Sequence, residues 1–209
     1  MSLTFEDFGG RIASVWSELR PITRGLVERA LQTTGGQHPA RGANTASAPY
    51  DARSDHELSR LLAALDERAV EPDSQLGADQ ERELQHTADA CALVLQEKSR
   101  SAEVFTQLVQ RADNRRDYAR IDSLADVLMG FAPSEVCELA RSPHVVVRAL
   151  ASETLAQFPV PALVSLLHDP VDSSIAREAL RRKALDYGSE EARQILNVLS
   201  QNDLVGDDF

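Results

Sequence analysis

The stretch that decides the fold is RSPHVVVRALASETLAQFPVPALVSLLHDP, residues Arg141 to Pro170. Ser-Pro opens it and Asp-Pro closes it. Each pair follows a Leu-rich segment and precedes an amphipathic one. Working outward, Phe131 and Phe158 are 27 residues apart, and Phe158 and Tyr187 are 29 apart. Val136, Leu139 and Ala140 correspond to Leu163, Leu166 and Leu167 at an offset of 27, and Ser142-Pro143 to Asp169-Pro170 at the same offset. Val146, Arg148, Leu150 and Ala151 correspond to Ile175, Arg177, Ala179 and Leu180 at an offset of 29. The two extra residues fall in the turn, where insertions cost little. Upstream, Leu124 and Leu128 correspond to Ala151 and Leu155.

A period of this length with two apolar helical stripes per unit is the mark of stacked helical hairpins. The spacing predicts helix pairs at 101–131, 132–158 and 159–187 and a closing helix at 189–201. Val104, Phe105, Leu108 and Val109 supply the first helix, and Ala192, Ile195, Leu196 and Leu199 the last. Ser142 or Asp169 is expected to cap the second helix of its pair or fill the turn before it. Pro143 or Pro170 is expected to start that helix, with a preset φ and no amide to lose.

The segments LARSPHVVVRALASETL (Leu139–Leu155) and LLHDPVDSSIAREAL (Leu166–Leu180) resemble the short bacterial type of HEAT repeat, whose pattern is LLxDPxxxVRxxAxxAL. The resemblance covers about 132–201 well and 101–131 weakly. In the earlier pair RADNRRD stands where Asp-Pro would, and Ile121 sits near the Arg position. The hundred residues before it do not share the pattern. The resemblance implies an all-α fold: a right-handed α-solenoid of HEAT-like hairpins, here with an extra N-terminal helical segment. It also implies that the Pro bends each hairpin, that Arg148 and Arg177 join a polar ladder, and that the second helices line a concave binding surface.

Composition agrees with helices. Hydrophobic residues are 43% of the 209-residue chain but aromatics only 5%, so the core must be built from Leu, Ala and Val. The formal net charge of −11 repels nucleic acid and anionic lipid wherever no basic patch overrides it. That charge is uneven. Residues 1–50 carry five Arg against four acids, residues 51–100 six bases against twelve acids, and residues 202–209 add three acids. The two cysteines, Cys91 and Cys137, lie in apolar helical patterns and read as buried thiols of a reducing compartment. No signal peptide and no membrane-length apolar run is visible, so the expected location is the cytoplasm, with no membrane partner.

Four parts follow along the chain: an amphipathic helical segment at 1–33, a flexible linker at 34–53, a repeat domain at 54–201 with its clearest repeats at 101–201, and an acidic tail at 202–209. In the first part Thr4 is expected to cap, with Leu3 and Phe8 as a hydrophobic staple. Phe8, Ile12, Val15, Trp16 and Leu19 form one stripe, Pro21 breaks it, and Ile22, Leu26, Val27, Ala30 and Leu31 resume it. This segment either covers exposed core of the repeats or serves as an amphipathic partner-binding or membrane-surface helix. In the third part Ser54 and Glu57 read as a capping box for a helix over 54–69. A helix from Asp79 to about Gln96 should bury Leu84, Ala88, Cys91 and Leu95.

Chemistry-bearing constellations are few. Glu83 and His86 have the E-x-x-H spacing of di-iron bundles, but no second such pair exists and His86 lies opposite Leu84. Cys137 has no nucleophile signature around it, His144 and His168 fall at repeat turns, and there is no phosphate loop, G-x-G-x-x-G or H-E-x-x-H. No metal or cofactor is expected. Two basic clusters stand out: Arg111, Arg115, Arg116 and Arg120, and Arg177, Arg181, Arg182 and Lys183. Asp113, Asp117, Glu178 and Asp186 interleave with them, which favours ion pairing on a wet face over nucleic-acid binding. The expected function is a non-catalytic scaffold that binds a protein or peptide, with Arg148, Arg177, Arg181 and Arg120 as the residues that meet its carboxylates. The alternative is an enzyme or enzyme accessory of the kind some HEAT-like proteins resemble, a tetrapyrrole lyase or a DNA glycosylase.

Overall fold

A Leu- and Ala-rich core with few aromatics is buried most readily by helix faces, and the computed structural model is helical throughout. It describes residues 5–34, 50–71 and 76–206. Among the described residues there are eleven α-helices, one 3-10 helix and no strand. The chain divides into two compact units, Met1–Val104 and Phe105–Phe209.

The first unit opens with the 3-10 helix Phe5–Phe8, followed by α1 (Gly10–Glu18), α2 (Pro21–Thr34), α3 (Ala52–Ala69) and α4 (Ala78–Lys98). Gly9, at φ 116, makes the break between the 3-10 helix and α1, a conformation that a side chain would strain. Leu19 is extended and Pro21 starts α2, so the expected break at Pro21 is a helix start. α3 packs on α4, α2 on α4 and α1 on α3. The N-terminal segment therefore covers the leucines of α3 and α4, with Phe8, Ile12, Val15 and Leu19 buried against them. Leu58, Leu61, Leu62 and Leu65 are fully buried on α3, and Leu84, Ala88, Cys91 and Leu95 on α4.

The second stripe needs correction. Ile22 is exposed and Thr23 is fully buried in its place, because Thr23 has a buried carboxylate to bond. The cap of α3 also differs: the helix starts two residues early, at Ala52, and Asp51 caps it by accepting from the Ser54 amide at 2.8 Å. Leu3, Thr4, the linker residues 35–49, and 72–75 and 207–209 lie outside the described residues, so the staple, the Thr4 cap and most of the linker do too.

The division between the units falls within α5 (Ala102–Asn114). Beyond it come α6 (Tyr118–Leu128), α7 (Pro133–Ala140), α8 (Val145–Gln157), α9 (Val160–Leu166), α10 (Ser173–Asp186) and α11 (Glu190–Gly206). Within the second unit α7 packs on α8 and α9 on α10; α6 and α10 both contact α8, and α7 contacts α9. Residues matched by sequence offset share their burial: Val136 with Leu163, Leu139 with Leu166, Ala151 with Leu180, and Leu124 with Ala151. Phe131 packs edge-on against Phe105, with ring centroids 5.6 Å apart. Ile121, where the other pairs carry Arg, is buried. α11 runs on to Gly206 rather than stopping at 201, since no glycine or proline interrupts it earlier.

The prolines act differently from expectation. Pro143 and Pro170 lie in the turns, and α8 and α10 begin at Val145 and Ser173. In the second unit the prolines at helix starts are Pro133 at the first position of α7 and Pro161 at the second position of α9, with Pro159 as the cap of α9. Ser142 and Asp169 nonetheless do the same thing 27 residues apart. Ser142 Oγ accepts from the His144 amide at 3.2 Å, and Asp169 Oδ1 accepts from the Val171 amide at 2.8 Å. Both close a local side-chain turn ahead of the second helix.

Candidate functional site

The second helices α8 and α10 carry most of the predicted binding residues, and the structure places them in distinct roles. Arg148 ends the first turn of α8. Its Nη1 donates back to the carbonyl oxygens of Ser142 (2.7 Å) and Pro143 (3.4 Å), so the guanidinium braces its own turn. Arg181 is exposed on α10 and pairs with Glu178 at 3.3 Å. Arg177, on α10, and Arg120, on α6, are half-buried.

Between α8 and α10 lies a hollow of about 190 Å³, lined among others by Arg148, Ser152, Leu155, Ile175, Glu178 and Arg182. Of the four predicted residues Arg148 alone lines it. The floor is apolar and the rim carries two cations and one carboxylate. Its volume falls below the roughly 300–1,000 Å³ of small-molecule pockets and suits a single inserted side chain.

Glu153, which orders this face, is not singled out by the sequence, whereas Arg182, Lys183 and Asp186 are, as members of an ion-pairing cluster. Arg182 joins Glu153 on α8 at 2.8 Å and reaches Asp186 at 3.5 Å. The Tyr187 hydroxyl also bonds Glu153. These contacts hold the Glu153 carboxyl below its usual range, through Tyr187 first and Arg182 next, and push the Tyr187 hydroxyl up. Lys183 donates to the last carbonyls of α8, Ala156 (3.1 Å) and Gln157 (3.4 Å). Arg182 and Lys183 of the α10 cluster are thus spent on α8, and Arg181 on α10 itself. The signal available in sequence was the spacing of Glu153 and Arg182 by 29 residues, the same offset as the flanking repeat positions.

Two further polar contacts join neighbouring hairpins at their turns. Asp113 Oδ2 lies 3.4 Å from His144 Nε2, and Arg141 Nη1 lies 2.5 Å from Asp172 Oδ1. Each joins residues 31 apart, from the end of a first helix to the start of the second helix in the next pair. The resemblance implies a polar ladder through Arg148 and Arg177, whereas Arg148 faces its own turn and Arg141 is the arginine that reaches the next helix pair. His168, at the next turn, is exposed.

Cys137 sits fully buried on α7, and its thiol is pushed up to about 12, by burial first and by the Asp172 carboxylate next. A thiol held neutral in this way is a poor nucleophile. Among the described residues no three His, Cys, Asp or Glu side chains gather as a metal site, and no helix is long and apolar enough to cross a membrane.

In the first unit the most ordered polar cluster lies where the α1–α2 break meets the start of α3. Arg20 forks onto Asp51 at 2.7 and 2.9 Å and onto Glu57 at 2.9 Å. Glu57, on the buried face of α3, also accepts from the Thr23 hydroxyl at 2.5 Å and the Arg20 amide at 3.3 Å. Burial pushes the Glu57 carboxyl up, but the Thr23 and Arg20 hydrogen bonds and the Arg20 charge outweigh it and hold it low. The fork from Arg20 is the main cause that holds Asp51 low. At the other end of α3, a cavity of about 610 Å³ is lined by Phe8, Gly9, Ile12, Val70 and the Arg11–Glu67 and Arg68–Glu71 pairs. Its charges are matched, and Arg68 Nε also donates to the Phe8 carbonyl at 3.0 Å.

No family model, curated protein or solved structure matches the chain.

Proposed function

We propose that the chain is a non-catalytic binding scaffold: its second unit is a right-handed solenoid of HEAT-like hairpins that takes a protein or peptide partner in the cytoplasm. The observation that carries this reading is the recurrence of one contact set at successive turns. Ser142 and Asp169 close equivalent local turns, and Asp113–His144 and Arg141–Asp172 join adjacent pairs at equal spacing. A scaffold built by repetition presents a continuous surface rather than a point of catalysis. The hollow between α8 and α10, sized for one side chain and edged by Arg148 and Arg182, suits a peptide better than a metabolite.

The test is affinity purification of the full chain from a native lysate, followed by charge reversal on the second helices. A stoichiometric protein partner is expected, and Arg148→Glu with Arg181→Glu should release it. Retention of every partner by the reversed protein would overturn the assignment of binding to this face.

A further inference from the structure

We draw no further inference here: the strongest candidate, the cavity of about 610 Å³ where the start of α1 meets the end of α3, is rimmed by arginines and glutamates that pair with one another, and nothing in the structure shows what covers it.

Discussion

Replacing Glu57 by Ala tests how the N-terminal helices are held on α3. The substitution removes the acceptor of the Thr23 hydroxyl, of the Arg20 amide and of Arg20 Nε. Thr23 is 0% exposed, so its hydroxyl cannot turn to water, and stranding such a group costs about 1–3 kcal/mol. The Arg53 contact contributes little, because that side chain is 70% exposed. The Arg20 head group keeps Asp51 and reaches solvent, so it adds a modest amount. The total is about 2–3 kcal/mol, which at a urea slope of ~2 kcal/mol/M lowers the midpoint by about 1–1.5 M. Trp16 is the only tryptophan and belongs to the first unit, where it stacks on Phe5 at 3.7 Å, so its fluorescence reads this unit. Acid should narrow the effect. Glu57 and Asp51 are both held below their ordinary values in the folded chain. Their charge contribution is complete above the unfolded carboxylate range near pH ~4 and is lost as pH falls through the lower folded values. The gap between wild type and Glu57→Ala should therefore shrink below about pH 4. An unshifted Trp16 midpoint at neutral pH, or a gap that widens in acid, would refute the reasoning.

Other outcomes follow from particular side chains. Leu155→Ala, at a 1% exposed position between α8 and its neighbours, should destabilise the second unit by about 2–5 kcal/mol in circular-dichroism melts. Arg116→Gly should stabilise the same unit by about 0.5–1 kcal/mol by relieving left-handed strain, seen as a raised urea midpoint. With Cys91 and Cys137 both 0% exposed and the Cys137 thiol pushed up to about 12, native protein should release no colour from Ellman's reagent. In urea both thiols should react; prompt reaction in the native state would contradict the burial. Arg148→Ala should cost about 1 kcal/mol by removing the donor to the Ser142 and Pro143 carbonyls.

The helices of the second unit were legible because their signal is local. Apolar spacing and an offset of 27 placed α7 to α10 within a few residues, and equivalent positions do bury alike. What failed was chemistry set by distant partners. Ser54 and Glu57 have the spacing of a capping box, yet Arg20 and Thr23, more than thirty residues earlier, claim Glu57, and Asp51 takes the cap. Ile22 fits a stripe by period but yields the buried position to Thr23, because Glu57 waits there. Pro143 and Pro170 looked like helix starters, since a proline after a capping residue reads that way whether the helix begins at once or two residues later. The arginines were the least legible. Nothing local separates Arg181, paired along its own helix, from Arg182, which crosses to Glu153. Nor does composition reveal that Arg116 occupies a glycine-like turn; that follows only from the bonds of Arg116 and Asp117 to the end of α5.

The central claim is that the second unit is a binding surface made by repetition. It is tested most directly by affinity purification of the full chain from a native lysate beside the Arg148→Glu, Arg181→Glu variant. The account predicts a stoichiometric protein partner that the wild type holds and the reversed chain releases. Retention of every partner by the reversed chain would contradict it.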